Sequence, residues 1–197
     1  AQNFCRDKSP IDQVRKLLDD DTGFDPAVWH EIAELGWLGI GVPEEFGGIG
    51  LGLGELVPIV EQMGRHLMAL PFVSTIVAAQ AILHAGTSQQ QQKYLPALAS
   101  GTAASLALCE ENADWDLENI SCTASQTDQG LVLSGRKFLV TDAHQAELFI
   151  VSVRYDDKPT LVIVPRAALA EGAMSREKII DDTRRSYALD LNGVCVD

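Results

Sequence analysis

The sequence predicts an α+β fold, an N-terminal helical bundle followed by an antiparallel, β-barrel-like domain. Three observations carry that prediction. Apolar residues recur at helical spacing from about residue 10 to residue 100, and after Gly101 they fall into short runs separated by turn clusters. The composition, 46% hydrophobic and 22% charged over 197 residues, is that of a globular chain able to bury one sizeable core or two small ones. The expected division is a helical domain over 1–102 and a β domain over 103–197.

In the first half, "FDPAVWHEIAELGWLGI" offers Asp25 as N-cap and Pro26 at the first helical position. Val28, Ile32 and Leu35 follow on one face, with Gly36 as the stop. Trp29 and Trp37, eight apart, read as a core stripe of that helical region. The glycine-rich "GVPEEFGGIGLGLGELV" has neither the glycine spacing of a dinucleotide-binding loop nor the terminal lysine of a P-loop, so it reads as a turn-rich connection. "LVPIVEQMGRHLMAL" carries its proline early, where a helix tolerates it. "VSTIVAAQAILHAG" is apolar nearly throughout, as in a helix buried on most sides, and closes at Gly86. Thr87 and Gln90 stand at capping-box spacing, so the four glutamines of "TSQQQQKYLPALASG" read as a first helical turn.

The second half predicts strands at "ASLALCE", "ISCTASQ", "GLVLSGRKFLV", "ELFIVSV", "TLVIVP" and "YALDLNGVCV". Turn clusters such as Thr127–Gly130 and Tyr155–Pro159 separate them. "RAALAEGAMSREKIIDDTRRS" is polar and reads as a long connection.

A net charge of −13 repels nucleic-acid phosphates and acidic bilayers, so neither is an expected partner. Cys5, Cys109, Cys122 and Cys195 lack CxxC or Cys/His ligand spacing, which points to a reducing, cytoplasmic compartment and away from structural zinc. No apolar run reaches the roughly 18 residues of a membrane span, and the N-terminus lacks signal-peptide patterning. His30, His66 and His84 show no metal-binding spacing. Cys109, Asp142 and His144 lack the surroundings of a nucleophilic triad. Arg184 and Arg185 read as a surface ion-pair cluster in preference to a phosphate contact.

Four stretches together resemble the acyl-CoA dehydrogenase family: "AELGWLGIGVPEEFGGIGL", "KYLPALASG", "ALCEENADWD" and "GRKFLVTDAHQAELFIV". The resemblance covers nearly the whole chain and implies FAD as cofactor, an acyl-CoA thioester as substrate, and an oligomer. It implies that "ALCEENADWD" corresponds to a family strand A-x-T-E-P-x-x-G-S-D lining the flavin. Cys109, Glu111, Asp114 and Trp115 here replace the family's Thr, Pro, Gly and Ser, and Trp115 is expected to fill space where the flavin pyrophosphate lies. "KFLVTD" corresponds to K-x-W-I-T-N, with Leu139 at the Trp, Thr141 at the Thr beside flavin N5, and Asp142 at the Asn. The cofactor-contacting set implied by the resemblance is therefore Cys109, Leu139 and Thr141. The family's catalytic glutamate belongs to a C-terminal helical bundle, and the resemblance ends at "LNGVCVD" before it, so no catalytic residue is assigned. The resemblance leaves two functions open: a subunit taking part in FAD-dependent α,β-desaturation, or a non-catalytic structural or regulatory subunit that holds no flavin. The second has a precedent in heteromers acting on steroid side-chain thioesters.

Overall fold

The computed structural model describes residues 1–196, and Asp197, the last residue of the expected β domain, lies outside them. The fold is α+β. One compact unit contains residues 1–103 with 181–184, and a second contains 104–180 with the chain from Arg185 onward.

The first unit holds α1 (Gln2–Lys8), α2 (Ile11–Leu18), α3 (Pro26–Glu34), α4 (Val57–Arg65), α5 (Phe72–Ala85) and α6 (Ser88–Ala99). Local chemistry sets several helix ends. The Asp25 carboxylate accepts the Ala27 N–H at 2.9 Å, Pro26 follows at the first turn, and Gly36 adopts φ +71° just past the end of α3. Thr87 and Gln90 form the expected capping box, each side chain accepting the other's backbone N–H. The core gathers Cys5, Ile32, Leu38, Met63, Phe72 and Ile76. Trp29 and Trp37 do not share a helix, because Gly36 ends α3 and Trp37 begins a 3-10 turn. The Trp29 indole instead donates to the Gly101 carbonyl at 2.9 Å, and Trp37 packs edge-on against Phe4.

The glycine-rich segment folds back on residues 39–44. The N–H groups of Gly47, Gly48, Ile49, Gly50 and Leu51 donate to the carbonyls of Glu44, Pro43, Gly39, Val42 and Ile40. Amides already committed in this way cannot cradle a phosphate. The approach is close enough that a Cβ on Gly48 would lie 2.0 Å from the Val42 carbonyl oxygen.

The second unit comprises β1 (Ala104–Ala107), β2 (Thr123–Thr127), β3 (Gly130–Ser134), β4 (Arg136–Thr141), β5 (Leu148–Tyr155), β6 (Lys158–Pro165), β7 (Met174–Glu177), β8 (Ser186–Asp190) and β9 (Cys195–Val196). Six strands form one sheet in the order β1-β5-β2-β3-β9, with β6 on the other side of β5, and β4-β8-β7 form a second. The larger sheet is mixed: β1 runs parallel to β5, which the long excursion through 108–147 allows. β5 and β6 form a hairpin whose Asp156 and Asp157 both have positive φ, the backbone a two-residue hairpin turn demands. Strand β7 lies within the stretch expected to be only a connection. Its residues, Met-Ser-Arg-Glu, lack an alternating apolar face and owe their strand conformation to pairing with β8. The core of this unit is built around Phe149, Val151 and Val153 of β5, with Leu133, Val140, Val164 and Leu189. No helix among the described residues is long and apolar enough to cross a membrane.

Gly48→Ala is expected to destabilise the protein by about 3 kcal/mol, the upper end of a typical overpacking cost. Gly54→Ala, where a new Cβ meets nothing within 4 Å, is expected to change stability by less than about 0.5 kcal/mol. Urea unfolding of the two variants, measured side by side, checks both values.

Candidate cofactor site

Strand β4 does not run straight. Lys137 pairs with Leu189 and Val140 with Tyr187, so three steps along β4 match two along β8 and one residue is extra. This is a β-bulge. Lys137 and Val140 both point inward, and each is 0% exposed. Leu139, on the bulge, adopts φ +54° and is 44% exposed. A left-handed backbone at a non-glycine residue costs about 1 kcal/mol or more, and an apolar side chain gains little by facing water. The Leu139 N–H leaves the ladder and donates to the Glu177 carboxylate at 2.8 Å, which also accepts from the Ser186 hydroxyl at 3.0 Å. Thr141 ends the bulged strand, half-buried, and its carbonyl accepts the Ser105 hydroxyl at 2.6 Å. Asp142 follows with φ +59°. Asp and Asn both tolerate that conformation, so aspartate preserves the backbone geometry.

Beneath the bulge lies a buried ion pair. The Lys137 ammonium donates to Glu110 Oε1 at 2.7 Å, to Ser152 Oγ at 2.9 Å and to the Leu108 carbonyl at 3.3 Å. All three of its protons are thereby placed. Glu110 Oε1 also accepts the Cys122 N–H at 2.9 Å, and Oε2 accepts the Ser121 N–H at 2.8 Å. Burial by itself would raise the Glu110 pKa, but the ammonium and the two amides outweigh it and hold the carboxyl down to about 2.

Cys109 sits between these partners, 3% exposed, with its carbonyl accepting the Phe138 N–H at 2.9 Å. Burial raises its thiol pKa, with Lys137 opposing the rise, and burial pushes the Cys122 thiol up to about 11. Neither is a thiolate nucleophile near neutral pH. A cleft of about 730 Å³ opens beside the pair, lined by Glu110, Glu111, Cys122, Gly135, Arg136 and Phe138 among others. Thus Cys109, Leu139 and Thr141 come from adjoining chain segments. Leu139 alone of the three presents an exposed side chain. Arg185 is 4% exposed and is not part of a surface cluster; the half-buried Arg184 reaches the Leu70 carbonyl at 3.5 Å. Among the described residues, no group of His, Cys, Asp and Glu could hold a metal ion.

The family model for the acyl-CoA dehydrogenase N-terminal domain matches residues 1–102. The chain belongs to the acyl-CoA dehydrogenase family. It is 34% identical to the benzylmalonyl-CoA dehydrogenase of Aromatoleum aromaticum over 155 residues, 74% of this chain and 40% of that one. It superposes on a solved Tcur3481–Tcur3483 steroid ACAD variant with a TM-score of 0.85 and 32% identity, covering 96% of this chain and 52% of that one. An acyl-CoA dehydrogenase from Bacillus anthracis complexed with FAD gives 0.80 and 26%, covering 99% and 34%. The chain therefore spans between a third and about half the length of these acyl-CoA dehydrogenase relatives.

Acyl-CoA dehydrogenase membership makes FAD the group to test against these residues. An exposed apolar Leu139 on the bulge, with Thr141 two residues on, is chemically compatible with the apolar face of a ring. The phosphate end does not fit. Besides the Lys137-paired Glu110, residues 110–118 carry Glu111, Asp114, Asp116 and Glu118 and no lysine or arginine, so a pyrophosphate there meets repulsion. Trp115 is 73% exposed, at the surface of this acidic segment.

Sequence reasoning missed the pairing of Lys137 with Glu110 and the parts played by Ser152, Glu177 and Ser105. Strand alternation gives no signal for the pairing, because it would place Lys137 on the same face as Leu139, and only the bulge separates the two.

Glu110 has a lower pKa when folded than its ordinary 4.5, so its stabilising effect is complete above that value and lost as pH falls toward 2. The effect amounts to about 3 kcal/mol. Urea unfolding between pH 7 and pH 3 is expected to show an acid-induced loss of stability that Glu110→Gln largely removes.

Proposed function

We propose that this chain forms the N-terminal and middle portion of a subunit working in FAD-dependent α,β-desaturation of an acyl-CoA thioester. The observation that carries the proposal is the β4 bulge, where backbone strain is spent on presenting an apolar side chain to solvent. FAD, when bound, supplies the hydride-accepting chemistry. The chain's own residues orient it: Leu139 against the ring face, Thr141 at the adjacent edge, and the Cys109 segment beneath. Within this stretch no carboxylate is assigned to substrate deprotonation. The free cysteines suit a reducing, cytoplasmic setting.

A second reading, favoured by the acidic 110–118 segment, is that a partner subunit holds most of the flavin and this chain completes the oligomer without retaining FAD itself. A two-component name belongs to the similar steroid ACAD, which supports an assembly of unlike chains.

The test is the FAD released on denaturing the complex isolated with this chain tagged. One FAD per polypeptide, counted over every chain in the complex, supports a flavin-holding subunit, and one FAD per pair of unlike chains supports the partner reading. No flavin at all would contradict both. If flavin is retained at this bulge, Leu139→Asp is expected to weaken retention about tenfold, roughly 1.4 kcal/mol. Its exposure should leave the melting temperature nearly unchanged, as a parallel thermal scan would show.

A further inference from the structure

We infer that Lys137 is a positioning residue, whose ammonium fixes strand β4 at the point where the bulge begins and so sets where Leu139 and Thr141 stand. The inference rests on reading those two residues as cofactor contacts. Strand β4 belongs to the three-stranded sheet, whereas Ser152 is on β5 in the six-stranded one, and Glu110 lies in the segment leaving β1. Among the described residues, no strand pairing joins β4 to either.

Lys137 supplies a side-chain connection that gathers all of these segments on one nitrogen. Its three donors reach Glu110, Ser152 and the Leu108 carbonyl, and Glu110 in turn holds the Ser121 and Cys122 amides just before β2. The Ser152 hydroxyl also lies 3.2 Å from the Leu108 carbonyl, closing the network. An apolar side chain could fill the same space at comparable stability, because burying two charges has a large desolvation cost. Apolar packing, however, has no direction and tolerates a strand sliding by a fraction of a residue. Three hydrogen bonds from one nitrogen do not. Immediately after this fixed point, Phe138 bonds to Cys109, Leu139 leaves the ladder for Glu177, and Ser105 holds the far end at Thr141. The bulge is thus clamped on both sides from the six-stranded sheet, by Ser105 of β1 at Thr141 and by the Lys137 ammonium, which alone joins three groups at once.

The test is amide hydrogen exchange at residues 139–142 in the full-length protein, without added FAD. The Lys137→Met, Glu110→Gln double variant removes both charges together and leaves neither buried alone. Exchange at 139–142 is expected to speed up by about tenfold, while helix α5 and strand β3 change by less than about twofold. Ser152→Ala, which keeps the ion pair, is expected to give about threefold at the same amides, and it carries the test if the double variant does not fold. Unchanged exchange at 139–142, or an equal acceleration throughout the protein, would overturn the inference. Absence of FAD from the unaltered complex would instead defeat the flavin reading and leave the exchange result standing.

Discussion

One buried charge pair organises the β unit. Glu110 and Lys137 are 27 positions apart in sequence, yet their 2.7 Å contact and its attached hydrogen bonds draw together residues 108, 110, 121, 122, 137 and 152. Such a pair offers little net stability over a well-packed apolar core, but losing one partner strands the other charge in the interior. Its value therefore lies in geometry. The pair is also complete, since every ammonium proton and both carboxylate oxygens have a protein partner, the condition under which a buried polar network rigidifies its surroundings.

The bulge follows two residues later. The bulge holds Leu139 at a φ that leucine disfavours and keeps its side chain in solvent, an arrangement that neither packing nor backbone preference rewards. Under the proposed function, what gains from this arrangement is contact with a flavin ring. The adjoining acidic segment works in the opposite direction, since four carboxylates besides the paired Glu110 within 110–118 make a poor seat for a pyrophosphate. The chain thus combines an intact strand geometry with an altered phosphate-facing surface. An assembly in which the cofactor is shared with another subunit accommodates both.

What could be read from the sequence follows the range of the interactions involved. The Asp25–Pro26 start, the Gly36 stop and the Thr87–Gln90 box depend on neighbours within a turn, and their residue types announce them. The same holds for the glycine-rich segment, whose spacing excluded a nucleotide loop before its committed amides explained why. Strand β7 was illegible because nothing in Met174–Glu177 alternates, and only the partner strand makes it one. At the site, family resemblance led to Cys109, Leu139 and Thr141, but not to the strain at Leu139, since leucine does not signal positive φ. The burial of Lys137 was hidden for a related reason: a lysine is read as exposed until a distant carboxylate is known to meet it.

The central claim is that Glu110 and Lys137 act as one unit, and a double-mutant cycle measures that directly. Stabilities of the unaltered protein, Glu110→Gln, Lys137→Met and the double variant would be taken from urea unfolding at neutral pH. A coupling energy of about 2 kcal/mol or more, with the double variant more stable than Lys137→Met alone, is the predicted result. Effects that add within about 0.5 kcal/mol would contradict the account, because independent residues could not be what holds the bulge in place.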